Sequence, residues 1–374
     1  MFQHDAAHTG YTNSTPIKSK PEVLWRYQTE SPISSSLAVS EDLIYVSDQS
    51  TTYAINASTG SKVWDARGAG LSVAAVDKGI VYTTDNGGTA YNASNGAILW
   101  SYKSGSGYKY SPTAADGVVY MSSNDTFYAI KEDTKTVIWN FSGEASTSPA
   151  VSNDRVYLGG RCFNASTGDF LWVCHPVGFI TSPLTVYGNR VYFGSDDNNL
   201  YCIDAVTGLK IWNYTTNDIV TSSPAVADGR VFVGSCDGNV YALNATTGEK
   251  IWNYQTGAAV ESSPAIASDV VYIGSDNGNL YAFDAASGAN LWSFPVQGKR
   301  TDIGLSRAAS PVVSNGVIYM GSSECYVYAL KPNGNFNLPI VIEVLSLAVI
   351  IITIALIVRK RKPKKSAINS KLSA

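Results

Sequence analysis

The residue types most suited to chemistry in this 374-residue chain are few and scattered. His4, Asp5 and His8 crowd the opening positions, and imidazoles beside a carboxylate are donors that a divalent metal accepts. An opening loop packed against the last structural unit would use the same residues, and that reading is adopted. Three acidic runs, SDDNN (195–199), SCDGN (235–239) and SDNGN (275–279), lack the ligand density of a calcium loop and read as hairpin connections. The five cysteines (Cys162, Cys174, Cys202, Cys236, Cys325) form no C-x-x-C pair, which argues against zinc and thioredoxin-like chemistry. Cys162 and Cys174 flank one predicted hairpin and are a candidate disulfide. His175 stands alone, and no G-x-S-x-G, H-E-x-x-H or P-loop occurs. No catalytic, cofactor-binding or metal-binding residue is assigned.

The framework that would position any site is a repeat. The eight tryptophans, Trp25, Trp64, Trp100, Trp139, Trp172, Trp212, Trp252 and Trp292, are spaced by 39, 36, 39, 33, 40, 40 and 40 residues. The clearest copy, SSPAVADGRVFVGSCDGNVYALNATTGEKIWNY (222–254), holds four short β-rich runs separated by glycine-bearing turns. Four antiparallel strands in about 40 residues are a propeller blade. Eight copies begin near Ser35, Ser72, Ser111, Ser148, Ser182, Ser223, Ser263 and Ser310. The first Trp strand (24–28) precedes every blade, and the last copy, ending at YVYALKPNG (326–334), lacks one. The expectation is therefore an all-β, eight-bladed propeller over 24–334, opened by segment 1–23 and closed by its N-terminal strand, which removes exposed sheet edges.

The phrase [ND]-A-x-x-G-x-x-x-W, in NASTGSKVW (56–64), NASNGAILW (92–100), DAVTGLKIW (204–212), NATTGEKIW (244–252) and DAASGANLW (284–292), resembles the pyrroloquinoline quinone (PQQ)-like repeat. The opening HDAAHTGYT (4–12) resembles the start of such propellers. The resemblance covers about residues 3–334 and implies that the Asx residue caps a turn, Gly takes a left-handed backbone and Trp is scaffold between blades. The family includes quinone-dependent dehydrogenases and non-catalytic scaffolds, so fold does not choose a function. Many of the dehydrogenases carry adjacent cysteines and a Ca²⁺ cluster. This chain has no adjacent cysteines and no long lid insertions, so PQQ with Ca²⁺ is disfavoured and no cofactor is expected.

After a linker (335–337), residues 338–358 read LPIVIEVLSLAVIIITIALIV, with Glu343 the one charge. At ~1.5 Å per residue that run is long enough to cross a bilayer as a helix. The tail 359–374 opens with RKRKPKK, and the positive-inside rule keeps it cytoplasmic, with the propeller outside. The expectation is a single-pass cell-membrane protein whose signal peptide is missing from this sequence. N-x-[ST] sequons at Asn13, Asn56, Asn92, Asn124, Asn140, Asn164, Asn213 and Asn244 are candidate glycan acceptors, although NASTG-type turns generate sequons on their own.

Seven of the 27 basic residues follow residue 337, leaving the body a formal charge of −9, which argues against a general nucleic-acid binder. One irregularity interrupts the repeat. Trp and the proline position of the next blade are 9–12 residues apart at seven junctions but 19 apart between Trp292 and Pro311. The insertion brings Lys299, Arg300, Asp302 and Arg307 to the outward face, a candidate loop for a protein or glycan partner. Serine–proline at the inner-strand starts, with Glu261 nearby, makes a lining that is small and nearly uncharged. The reading is a membrane-anchored, non-enzymatic binding or assembly scaffold. A PQQ-dependent oxidoreductase and a carbohydrate-binding or carbohydrate-cleaving propeller are the alternatives, the last needing paired carboxylates.

Overall fold

The computed structural model describes residues 5–33, 36–67, 73–84, 88–102, 110–123, 126–143, 147–296 and 308–334. His4, Asn124, the charged insertion residues Lys299, Arg300, Asp302 and Arg307, and the apolar run 338–358 lie outside them. Among the described residues no helix is long and apolar enough to cross a membrane.

The described strands form eight sheets, one per blade: 38–67, 75–101, 113–142, 150–173, 185–215, 225–255, 265–295, and 312–331 completed by Glu22–Gln28. Blade 6 is representative, with strands Ala225–Ala227, Arg230–Gly234, Asn239–Asn244 and Lys250–Gln255 paired antiparallel in chain order. The three inner strands are almost wholly buried, as β-branched and aromatic residues covered on both faces require. The outermost strand is exposed except for its tryptophan and a partly covered tyrosine. Closure follows the expected route: Glu22–Gln28 pairs antiparallel with Tyr326–Lys331, setting Trp25 opposite Ala329.

The repeat signature is a clamp between neighbouring blades. In the turn Asn244–Ala245–Thr246–Thr247–Gly248, the Asn244 carboxamide oxygen accepts the Thr246 and Thr247 N–H groups. The turn thus presents the Ala245 carbonyl to the preceding blade. There it accepts the Trp212 indole N–H at 3.2 Å and the Tyr192 hydroxyl at 3.1 Å. The same carbonyl position receives Trp25, Trp64, Trp139, Trp172 and Trp252 at Ala57, Ala93, Ala165, Ala205 and Ala285. The turn glycine lies directly against the indole: a Cβ on Gly248 would sit 2.7 Å from Trp212, and Gly60, Gly96, Gly168, Gly208 and Gly288 meet their tryptophans equally closely.

Two junctions depart from this pattern for visible reasons. Blade 3 carries Lys135, at φ 59°, where the other turns have glycine, and the buried Trp100 indole N–H has no acceptor among the described residues. The same turn has Glu132 where the others have the alanine whose carbonyl accepts the indole. Blade 8 has no turn of this kind, because its outer strand comes from the other end of the chain. The Ile17 carbonyl substitutes, accepting Trp292 Nε1 at 2.9 Å and the Tyr272 hydroxyl at 3.3 Å.

Gly229 and Gly248 share a left-handed backbone, at φ +71° and +76°, but a Cβ on Gly229 meets nothing within 4 Å. Gly229→Ala is expected to cost about 1 kcal/mol for the backbone alone. Gly248→Ala must also displace Trp212 and is expected to cost ~3 kcal/mol or more. Urea midpoints measure both, and equal losses would refute the clamp.

Candidate functional site

In a propeller the innermost strands surround an axis, the first place to look for a site. Here the chain's own opening residues line it. Backbone N–H groups from four consecutive innermost strands donate to this segment: Val151 to the Ala6 carbonyl, Val186 to Ala7, Val226 to Thr9 and Ile266 to Gly10. Tyr11–Thr12 then pairs parallel with Ala265–Ala267. Residues 6–12 therefore lace blades 4 to 7 together, which corrects the expectation that Asp5 and His8 pack against the last blade; contact with that blade comes further along, where Ile17 joins Val313, Ile318 and Leu330 in one apolar cluster. The physical reason for the lace is that an innermost strand has one ladder edge unpaired, and a passing chain satisfies it.

His8 and Asp5 serve the lace. The buried His8 ring lies with Nδ1 3.0 Å from the Leu184 carbonyl and Nε2 3.4 Å from the Thr113 hydroxyl. Asp5 accepts the Thr9 N–H at 3.0 Å and, closely, the Thr9 hydroxyl. Burial pushes the His8 imidazole down to about 4, against the opposing pull of Asp5. His8 is thus a neutral imidazole anchored by its Nδ1–H on the Leu184 carbonyl of blade 5, while its expected companion His4 is outside the described residues.

The serines of the Ser-Pro starts form an inter-blade belt. Val73 N–H donates to Ser111 Oγ, Ser111 N–H to Ser148, Ser223 N–H to Ser263 and Ser263 N–H to Ser310. Thr113 and Thr185 hydroxyls donate to the carbonyls of Pro149 and Pro224 in the next blades. Beside Gly10, Ser36, Ser263 and Ser310 a void of about 10 Å³ remains, the space of roughly one water molecule.

The acidic hairpin turns are likewise structural. Asp237 accepts the Asn239 and Asn217 N–H groups at 2.9 and 3.0 Å and the Tyr241 hydroxyl at 2.6 Å, pinning the blade 5 to blade 6 linker onto the turn. Asp197 does the same with Asn199, Gly178 and Tyr201. Burial alone would raise both carboxyls, but these donors hold them below the usual carboxylate range. Glu261 faces the thiol of Cys236 at 3.8 Å, and burial pushes that thiol up to about 11. No cluster of three potential metal-ligating side chains occurs among the described residues.

All five cysteines are free thiols, so the candidate Cys162–Cys174 disulfide is corrected. Cys162 lies opposite Trp172 while Cys174 bonds across to Gly160, so the two are diagonal rather than facing. Burial pushes the Cys162 thiol up to about 12 and the Cys174 thiol up to about 11. His175 borders an outer cavity between blades 4 and 5, and the one sequence signal near it is the Cys174 that stands where most blades carry an aromatic residue.

The family described as outer membrane protein assembly factor BamB matches four overlapping stretches, residues 18–113, 90–175, 161–221 and 216–337. The chain belongs to this family. BamB from Moraxella catarrhalis has a similar structure, with a TM-score of 0.69 at 17% identity over 85% of this chain and 100% of that one. The quinohemoprotein alcohol dehydrogenase from Comamonas testosteroni gives a TM-score of 0.74 at 13% identity over 90% of this chain and 81% of the other. Both share the eight-bladed quinoprotein-like fold, and at such identities the likeness concerns fold alone. A tetrathionate hydrolase of Acidithiobacillus ferrooxidans is 29% identical over 175 residues, 44% of this chain, and the match spans about a third of that enzyme's length (34%).

The lace carries a pH signature. A histidine whose imidazole is held down to about 4 in the fold and titrates near 6.5 when unfolded stabilises fully above pH 6.5. That contribution falls away as pH drops from 6.5 towards 4 and amounts to about 3 kcal/mol at full value. His8→Gln is therefore expected to be less stable than the native chain at pH 7.5, with the gap closing by pH 4. Paired denaturant titrations test this, and a gap independent of pH would show that His8 is not buried neutral.

Proposed function

We propose that this protein is a non-enzymatic binding or assembly scaffold, held at the cell membrane by residues 338–358 with its propeller outside. One observation carries the non-enzymatic part: the polar groups that meet at the axis are engaged with one another. The opening segment takes the inner-strand N–H groups, the belt serines take those of neighbouring blades, and the turn carboxylates hold the linkers. A ring cross-tied in this way is a rigid platform, and rigidity lowers the ordering cost of binding through its loops. Membership of the BamB family adds support, since its description is that of an assembly factor.

The working surface in this proposal is the face bearing the blade-to-blade linkers, where the 19-residue junction carries Lys299, Arg300, Asp302 and Arg307. Their charge suits an acidic protein or an anionic glycan. The sequon asparagines fit an extracytoplasmic ring, although Asn56, Asn164 and Asn244 have a nearer role as turn caps. The quinone-dependent reading draws on the shared fold alone.

Cell-surface crosslinking with the full chain, followed by partner recovery, tests the reading. Deleting 298–306 is expected to lose the recovered partner while leaving the melting temperature unchanged, and an unaltered partner set would refute the loop's role. Protease added to intact cells is expected to degrade the propeller and spare an epitope fused after Ala374; a protected propeller would overturn the topology. A stoichiometric chromophore formed on adding PQQ and Ca²⁺ would overturn the non-enzymatic reading.

A further inference from the structure

The repeat places an aromatic residue two positions after six of its eight tryptophans, Tyr27, Tyr102, Phe141, Tyr214, Tyr254 and Phe294, while blade 1 has Ala66 there, packed against its own apolar cluster. These rings fill the outer groove between blades. Tyr27 packs on Tyr53 at 5.8 Å, Tyr102 on Tyr128 at 5.1 Å, Phe141 on Phe163 at 4.9 Å, Tyr214 on Tyr241 at 5.6 Å and Tyr254 on Phe283 at 4.8 Å. Blade 4 has Cys174 at this position. The groove residues that would receive its ring are present in blade 5, Tyr201 and Ile203, and they border a cavity of about 230 Å³ together with Cys174, Phe193 and Leu209.

The lining also includes His175 and Lys210, and exposed apolar side chains stand at and beside it. Leu209 is 70% exposed, and Val177 and Phe179, following the lining residue Pro176, are 94% and 81% exposed. Val177 and Phe179 sit on a loop fixed to blade 5: the Gly178 N–H donates to Asp197 at 3.1 Å and the Phe179 N–H to Asp196 at 2.7 Å. A Cβ at Gly178 would fall 2.0 Å from Asp196 Oδ1, so the loop closes this tightly only with glycine there.

We propose that the cavity between blades 4 and 5 takes the side chain of a tyrosine or phenylalanine from a partner polypeptide. It is continuous with the blade–blade interface, which in six of the eight blades carries a ring at this spot. A free aromatic molecule would leave Val177, Phe179 and Leu209 in water, whereas a polypeptide covers them, with the ring as anchor and those side chains excluding solvent. Trp172 keeps its socket in blade 5, bonded to the Ala205 carbonyl at 3.3 Å, so the missing ring leaves a pocket without opening the seam.

Saturation-transfer NMR of the full chain with N-acetyl-tyrosinamide, and N-acetyl-leucinamide as control, tests the assignment. The native chain is expected to transfer to the tyrosine probe and not to the leucine probe. Cys174→Phe supplies the ring internally and is expected to lose that transfer and raise the melting temperature. Should Cys174→Phe not fold, Leu209→Asp at the exposed rim decides, with reduced transfer expected at an unchanged melting temperature. No transfer in the native chain, equal transfer to both probes, or full transfer in the variants overturns the proposal. The test needs neither membrane nor natural partner, so its failure leaves the scaffold reading to its own experiments.

Discussion

Everything in this molecule depends on a carbonyl that accepts two donors. A propeller blade cannot bury both faces of its sheet alone, and adjacent blades must meet at a fixed distance and tilt. At five signature turns the alanine carbonyl supplies that registration by taking an indole N–H and a tyrosine hydroxyl from the blade before it, as Ala245 does from Trp212 and Tyr192, while Ala285 takes the Trp252 indole beside Phe232. The geometry works because the turn glycine has no Cβ and the indole can lie on its backbone. A buried hydrogen bond is worth only ~1 kcal/mol net, yet leaving its donor unmatched costs more, so the carbonyl selects one packing arrangement over its neighbours.

The N-terminal segment completes that scheme at three places. Its Glu22–Gln28 strand supplies the missing edge of blade 8, its Ile17 carbonyl replaces the turn carbonyl that blade 8 lacks, and residues 5–12 tie the inner strands of blades 4 to 7. The contacts of Ile17 and of the closing strand join residues far apart in sequence, 275 positions for Ile17 with Trp292 and 309 for Glu22 with Lys331. The entropy of closing such a loop is paid once, and later contacts add to a loop already closed. That makes the ring a single cooperative object, although each blade is built from local hairpins.

Blade number, closure and the structural role of the tryptophans were legible because they are periodic: the comb of eight Trp residues and the [ND]-A-x-x-G turn encode geometry directly. The lace was not. His8 and Asp5 look like potential ligands in the sequence, and only the ladder edge they meet shows them to be struts. The serine belt was half legible. The Ser-Pro positions stood out as a small lining, but that Ser263 bonds to blade 6 and to blade 8 depends on the direction in which each inner strand is approached. Charge patterning gave the acidic turns a metal-like look that their hydrogen bonds dispel, since the carboxylates are occupied by linker N–H groups.

A repeat protein hides its function in the residues that obey the pattern and exposes it in those that do not. Lys135 and Glu132 break the turn rule in blade 3, and at the same junction the Trp100 indole N–H has no acceptor among the described residues. Cys174, like Ala66 in blade 1, departs from the aromatic pattern, and the Trp172 socket beside it remains intact. The first departure is a blemish that the rest of the ring tolerates. The second leaves a shaped, apolar space beside a loop that a close-fitting glycine holds in place, with Val177 and Phe179 kept in water. Stability alone would favour filling that space and retracting those side chains. A surface that keeps both features is organised around something other than its own folding, which is why the blade 4 to blade 5 seam, rather than the axis, is where this propeller departs from a self-contained ring.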